Sequence, residues 1–108
     1  MQNTNPYYAV IFTSKRTDGD NGYSIMAEQI EVLAKTQPGY LGMESAKENI
    51  GITVSYWESL DAIKSWKENT AHLFAQEKGK KDWYSWYKVR VCKIEREYEF
   101  GNMIQDDF

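Results

Sequence analysis

Trp83-Tyr84-Ser85-Trp86-Tyr87-Lys88-Val89-Arg90-Val91-Cys92-Lys93-Ile94-Glu95-Arg96-Glu97-Tyr98 decides the fold, because so long an extended segment can hardly be satisfied inside one small domain. Strand residues advance by roughly 3.3 Å, so Tyr84 to Tyr98 fully extended spans on the order of 45 Å. A compact chain of this size has a radius of gyration of only about 13 Å. The far end must bend, stop or pair with a second subunit, and dimerisation through it is expected. Tyr87, Val89 and Val91 fall on one face of this strand, Cys92 and Ile94 on the other. With side chains alternating every two residues, such a switch marks a bulge or a change in what the strand packs against. A lone edge strand with a bulge is the competing reading. Val89→Asp or Val91→Asp is expected to disrupt the sheet or the subunit seam.

Upstream, Tyr7 to Thr13 reads as a strand bounded by Pro6 and the polar loop 14–22. Tyr23, Met26, Ala27, Ile30, Leu33 and Ala34 fall at the spacings of one helix face, and Pro38-Gly39 closes that helix. Tyr40 to Ala46 and Gly51 to Trp57 predict a hairpin turning at Lys47-Glu48-Asn49. A second helix starts near Ser59, a good N-cap, with Asp61 in its first turn, and runs to about Gly79. Asn69 and Thr70 favour caps over helix interiors, so a break there into two shorter helices is expected. The order βαββαβ is that of an α+β, ferredoxin-like fold: a four-stranded antiparallel sheet with both helices on one face. Its other face is bare, and two such sheets closing on each other would bury it.

The 108 residues make one domain, with a core over about 7–98 and an acidic tail over 99–108. A net charge of −3 disfavours a nucleic-acid binder. The single cysteine, Cys92, allows neither an internal disulfide nor a thiolate zinc site. With no signal-like N-terminus and no membrane-spanning stretch, the expected location is the cytoplasm, without a membrane partner. Aromatics at 15% suit a core or a pocket for a flat apolar ligand. The only histidine, His72, is the one side chain suited by its ordinary pKa to proton transfer near neutrality. In an unbroken helix it lies about 180° from Ile63, whereas a break could turn it inward.

Trp57-Glu58-Ser59-Leu60, Ala62-Ile63-Lys64-Ser65-Trp66-Lys67, His72, Ala75-Gln76, Gly79, Trp83-Tyr84 and the strand from Tyr87 to Tyr98 resemble the antibiotic biosynthesis monooxygenase domain family. The resemblance implies a dimeric α+β barrel, with the homodimer formed through the sheet face and the long last strand. It also implies a cofactor-independent monooxygenase acting on a small aromatic or phenolic compound. On that reading His72 is the base, Tyr56, Trp57 and Trp66 wall the substrate, Asn69 or Gln76 anchors it, and Arg90 steadies an anion. No metal and no cofactor are expected. The haem-degrading branch is recognised by an Asn on the first strand and by a Trp and a His on the second helix. Here the first strand has Tyr7, Tyr8 and Ala9, and His72 follows Trp66 by six residues, a closer spacing than that branch has. Other readings stay open beside the monooxygenase: a small-ligand-binding or stress-related dimer without catalysis, a haem-binding or haem-degrading enzyme, and a structural dimer whose aromatics make only core and interface. For each candidate a plain structural role competes, Trp66 as core and Arg90 as a seam ion pair.

Overall fold

The computed structural model describes residues 6–77 and 83–101, with side chains over 6–70 and 83–101. Its elements are β1 (Tyr7–Arg16), α1 (Tyr23–Lys35), β2 (Tyr40–Lys47), β3 (Gly51–Trp57), α2 (Leu60–Glu77) and β4 (Tyr84–Ile94). The four strands form one antiparallel sheet in the order β2-β3-β1-β4, which is the expected ferredoxin-like arrangement.

Register assigns the faces. Tyr8 opposes Trp57 and Lys93, Val10 opposes Ser55 and Val91, and Phe12 opposes Thr53 and Val89. These residues share the face on which the helices lie. The core there is Ala34, Trp57, Ile63 and Trp66, packed by Tyr8, Val10, Ile30, Leu33, Tyr40, Met43 and Ala62. Trp57 is wholly buried, stacks on Trp66 at 5.6 Å and donates its indole N–H to Ser55 Oγ at 2.8 Å. That bond gives the buried ring a partner for its one polar group. All six residues of the α1 stripe are buried or half-buried.

Helix ends follow local chemistry. Ser59 Oγ accepts from the Ala62 N–H at 3.1 Å, the N-cap bond that starts α2. Gly39, at φ +87°, turns the chain from α1 into β2, and a Cβ on it would stand 2.7 Å from Ala62 Cβ. A side chain there meets both backbone strain and a collision.

One expectation is corrected and two open ones are narrowed. First, α2 is unbroken through Asn69 and Thr70; the Thr70 hydroxyl is occupied by the Lys67 carbonyl at 3.0 Å, a bond a helix interior tolerates. Second, β4 stops at Ile94, and its register against β1 is continuous across Val91 and Cys92. The apolar switch therefore marks two different surroundings, and the bulge lies at the strand's other end, between Lys15 and Arg16. Third, Val89 and Val91 sit on the helix side of an edge strand, 49% and 50% exposed, which is away from the bare face where a sheet-to-sheet seam would lie.

That bare face carries Tyr7, Ala9, Ile11 and Thr13 of β1, Val54 and Tyr56 of β3, and Arg90, Cys92 and Ile94 of β4. Tyr56 donates to Glu44 at 2.9 Å and Tyr7 donates to Glu97.

Candidate functional site

The main helix–sheet contacts run from α1 to β2 and from α2 to β3, with Tyr8 and Val10 of β1 also packed on the helix core. On the helix side of the β1–β4 pair, aromatic and apolar side chains form a shelf. Phe12 is half-buried on it, with Tyr87 at 37%, Val89 at 49% and Val91 at 50% exposure. Phe12 and Tyr87 stack at 5.3 Å, and Tyr84 meets both edge-on, at 5.4 and 5.7 Å.

The bulge makes this grouping. In regular alternation Tyr84 would point with Trp86 to the opposite face. Lys15 opposes Trp86 and Arg16 opposes Tyr84, so Ser85 is the extra residue, its hydroxyl donating to the Lys15 carbonyl at 3.2 Å. One inserted residue returns Tyr84 to the side of Tyr87. The bulge is clamped from the loop after β1. The Trp83 carbonyl accepts from Arg16 Nε at 2.8 Å and from the Thr17 N–H at 3.1 Å, while the Trp83 indole donates to the Asn21 carbonyl at 2.9 Å.

The same loop positions Tyr23. The Tyr23 N–H donates to the Asp20 carbonyl at 2.8 Å, and the Asp20 carboxylate accepts from the backbone and hydroxyl of Ser24. Those Ser24 bonds hold the Asp20 carboxyl below its ordinary value. Tyr23 thereby meets Tyr84 perpendicularly at 5.7 Å. The Arg16 guanidinium lies 3.5 Å from the centre of the Tyr23 ring and the Lys47 ammonium 5.9 Å from it, both within cation–π reach. Burial, then the charge of Tyr23 and a hydrogen bond with it, push the Tyr84 phenol well above its ordinary pKa, against a smaller opposing pull from Arg16. At neutral pH Tyr84 is therefore a neutral hydrogen-bonding hydroxyl at the closed end of an aromatic shelf.

Among the described residues singled out from sequence, Trp57 and Trp66 come together and Tyr56, Arg90 and Asn69 lie elsewhere. Trp57 and Trp66 are core, on the helix side. Tyr56 and Arg90 are on the opposite face of the sheet. Asn69 is exposed and donates to the Gln37 side chain at 2.8 Å, joining α2 to the end of α1. His72 and Gln76 belong to the backbone of α2, and their side chains lie outside the described residues. Phe12, Arg16, Tyr23, Tyr84 and Tyr87 were not proposed as site residues from sequence. Four of the five are aromatic or cationic residues flanking the Arg16–Tyr23 loop or the Trp83–Tyr87 run, and only the bulge register shows that they meet.

The larger cavity, about 700 Å³, lies at the other end of β1. Pro6, Tyr7, Tyr8, Leu41, Glu58, Ser59, Leu60 and Asp61 line it, and a second hollow of about 320 Å³ adjoins it at Gly39 and Ala62. Size favours that cavity, and Tyr7 and Tyr8 bring rings to it, but its charged lining residues are the carboxylates of Glu58 and Asp61 beside the start of α2. The aromatic shelf is the better candidate for a flat ligand. Among the described residues no group of His, Cys, Asp and Glu could hold a metal ion. No helix of the described residues is long and apolar enough to cross a membrane.

No family model matches the chain. The uncharacterised protein YqjZ of Bacillus subtilis is 50% identical over 103 residues, 94% of this chain and 90% of that one. SnoaB, a cofactor-independent oxygenase from Streptomyces nogalater, superposes with a TM-score of 0.69 at 9% identity, over 84% of this chain and 95% of that one. MhuD, solved as a mutant with two manganese protoporphyrin IX bound per active site, superposes with a TM-score of 0.60 at 17% identity, over 86% and 99%. The fold is the one the antibiotic biosynthesis monooxygenase resemblance implied.

Proposed function

Since this chain belongs to the family of Bacillus subtilis YqjZ and has the fold of the oxygenase SnoaB, we propose that it is a monooxygenase of a small phenolic compound, working without a cofactor. The observation that supports this most is the cluster of the Phe12, Tyr84 and Tyr87 rings beside the half-exposed Val89 and Val91. A flat substrate stacks on those rings and leaves water behind. The chemistry asks for one base and a dry aromatic surface. An anthrone, for example, loses a proton to give an electron-rich anion, which passes one electron to O2. The resulting pair combines to a hydroperoxide, and loss of water leaves the quinone, so anthrone plus O2 gives anthraquinone plus H2O. His72, on the second half of α2, is the proposed base.

Oxygen uptake with an anthrone or a hydroquinone is the test. Saturable uptake that falls by at least about tenfold in His72→Ala supports the reading. Saturable binding without uptake makes the protein a small-ligand binder instead. The likeness to MhuD keeps haem in view as a second reading. A saturable Soret shift on titration with haem, followed by decay of the band under ascorbate, would replace the phenolic substrate with haem.

The assembly is proposed to be a homodimer closed through the bare sheet face, with no nucleic-acid or membrane partner and a cytoplasmic location. Ile52 and Trp86 on that face are 42% and 48% exposed, and beyond β4 Tyr98 and Phe100 are 85% and 102% exposed, uncovered within one chain.

A further inference from the structure

We propose that two copies of this chain close their bare faces about a two-fold axis running along the strands, so that Glu44 of each copy pairs with the partner's Arg90. This rests on the homodimer reading and adds which residues meet. Glu44, Val54, Ile11 and Arg90 are register partners in one row across β2, β3, β1 and β4, all on the bare face. The outer members of the row are exposed and oppositely charged, and the two inner members are half-buried aliphatics. Neighbouring strands stand about 4.8 Å apart, so the two charges lie roughly 14 Å from each other and do not meet within one chain. Among the described residues, where the ion pair is Lys35 with Glu31, Arg90 has no carboxylate within ion-pair distance. Glu44 accepts from the Tyr56 hydroxyl on one oxygen, at 2.9 Å, which leaves the other for a cation.

A two-fold axis along the strands reverses the row. The order acid, aliphatic, aliphatic, base then lies against base, aliphatic, aliphatic, acid. Glu44 faces the partner's Arg90, Val54 faces the partner's Ile11, and each contact occurs twice, as an isologous seam requires. The next row, Ala46, Ile52, Thr13 and Lys88, sets Ile52 against the partner's Thr13 and its one charge against the partner's Ala46. The row on the other side, Gly42, Tyr56, Ala9 and Cys92, brings no charge. An axis across the strands lays β2 on β2 and β4 on β4 instead, so the edge with Glu44 meets its own like, and so does the edge with Lys88 and Arg90. Aligned sheets keep their strands within about 30° of each other, an offset that long side chains at the ends of a row accommodate. Exposed ion pairs add little affinity; they fix the register and reject the wrong docking.

Sedimentation equilibrium of the full chain as wild type, Glu44→Lys, Arg90→Glu and the doubly substituted form tests this. Each single variant places like charges at both ends of the row, and its dimer is expected to be at least about tenfold weaker than that of wild type at low salt. The loss should shrink in ~0.5 M salt. Glu44→Lys also lowers the net negative charge, so a net-charge effect alone would tighten that dimer. Mixing the two single variants restores opposite charges at both ends and should return a heterodimer close to wild-type affinity, as should the doubly substituted chain with itself. Rescue on mixing separates the pairing from any damage a substitution does to its own chain. A dimeric wild type whose single variants dissociate no more readily overturns the pairing and leaves the homodimer standing, as does a mixture no tighter than its parts. A monomeric wild type at micromolar concentration removes the seam and the proposal with it.

Discussion

At the scale of single residues, the bare face holds two phenols, each tied to a carboxylate. The Tyr7 and Tyr56 rings stand edge-on at 6.1 Å, with Glu97 and Glu44 accepting their hydroxyl protons. Tyr7 is pushed up to about 12, first by the bond to Glu97 and then by burial. Tyr56 is raised chiefly by burial and next by Glu44. In the unfolded chain a tyrosine ionises near pH 10. The raised folded-state value means that the neutral phenol is favoured in the fold. Its contribution is whole below about pH 10 and is lost as the pH climbs toward about 12. Urea melts at about pH 9 and about pH 11.5 should therefore show a steeper loss of stability for wild type than for Tyr7→Phe. Parallel losses in the two proteins would show that Glu97 does not hold the phenol in solution.

At the scale of elements, two short pieces govern how α2 sits on the sheet. Ser59→Ala removes the bond to the Ala62 N–H and should cost about 1 kcal/mol in a urea melt. Gly39→Ala should cost more, because it sets a side chain at positive φ and 2.7 Å from Ala62. If the order is reversed, the β2 entry relaxes more readily than its geometry indicates. The six elements were legible in sequence because their periods are clean: the α1 stripe is buried as its spacing requires, and Gly51–Trp57 has the bounds its alternation suggests. The site was less legible. Trp57 and Trp66 are rings at helix-facing positions, and composition alone does not separate a wall from a core. Tyr56 follows Ser55 and precedes Trp57, so strand alternation sends it to the other face. The bulge at Ser85 was hidden, since a two-against-one pairing depends on the partner strand and on the Trp83 clamp.

At the scale of the whole molecule, the sheet packs the helices on one face and carries exposed Ile52 and Trp86 on the other. Two chains pairing through those bare faces would each shield the other's Ile52 and Trp86. Light scattering should return a dimer for wild type. Ile52→Lys combined with Tyr98→Ser should shift it to monomer, with the far-ultraviolet dichroism retained. A wild-type monomer at micromolar concentration would remove the seam. The sheet order has a separate implication for how the protein comes into being. β1, the first strand made, lies between β3 and β4, the last strand made. Phe12 and Tyr23 leave the ribosome long before Tyr84 and Tyr87, so the nascent chain must keep one edge of its first strand open until synthesis is nearly done. During that interval β1 is an unpaired edge that the arrival of β4 closes.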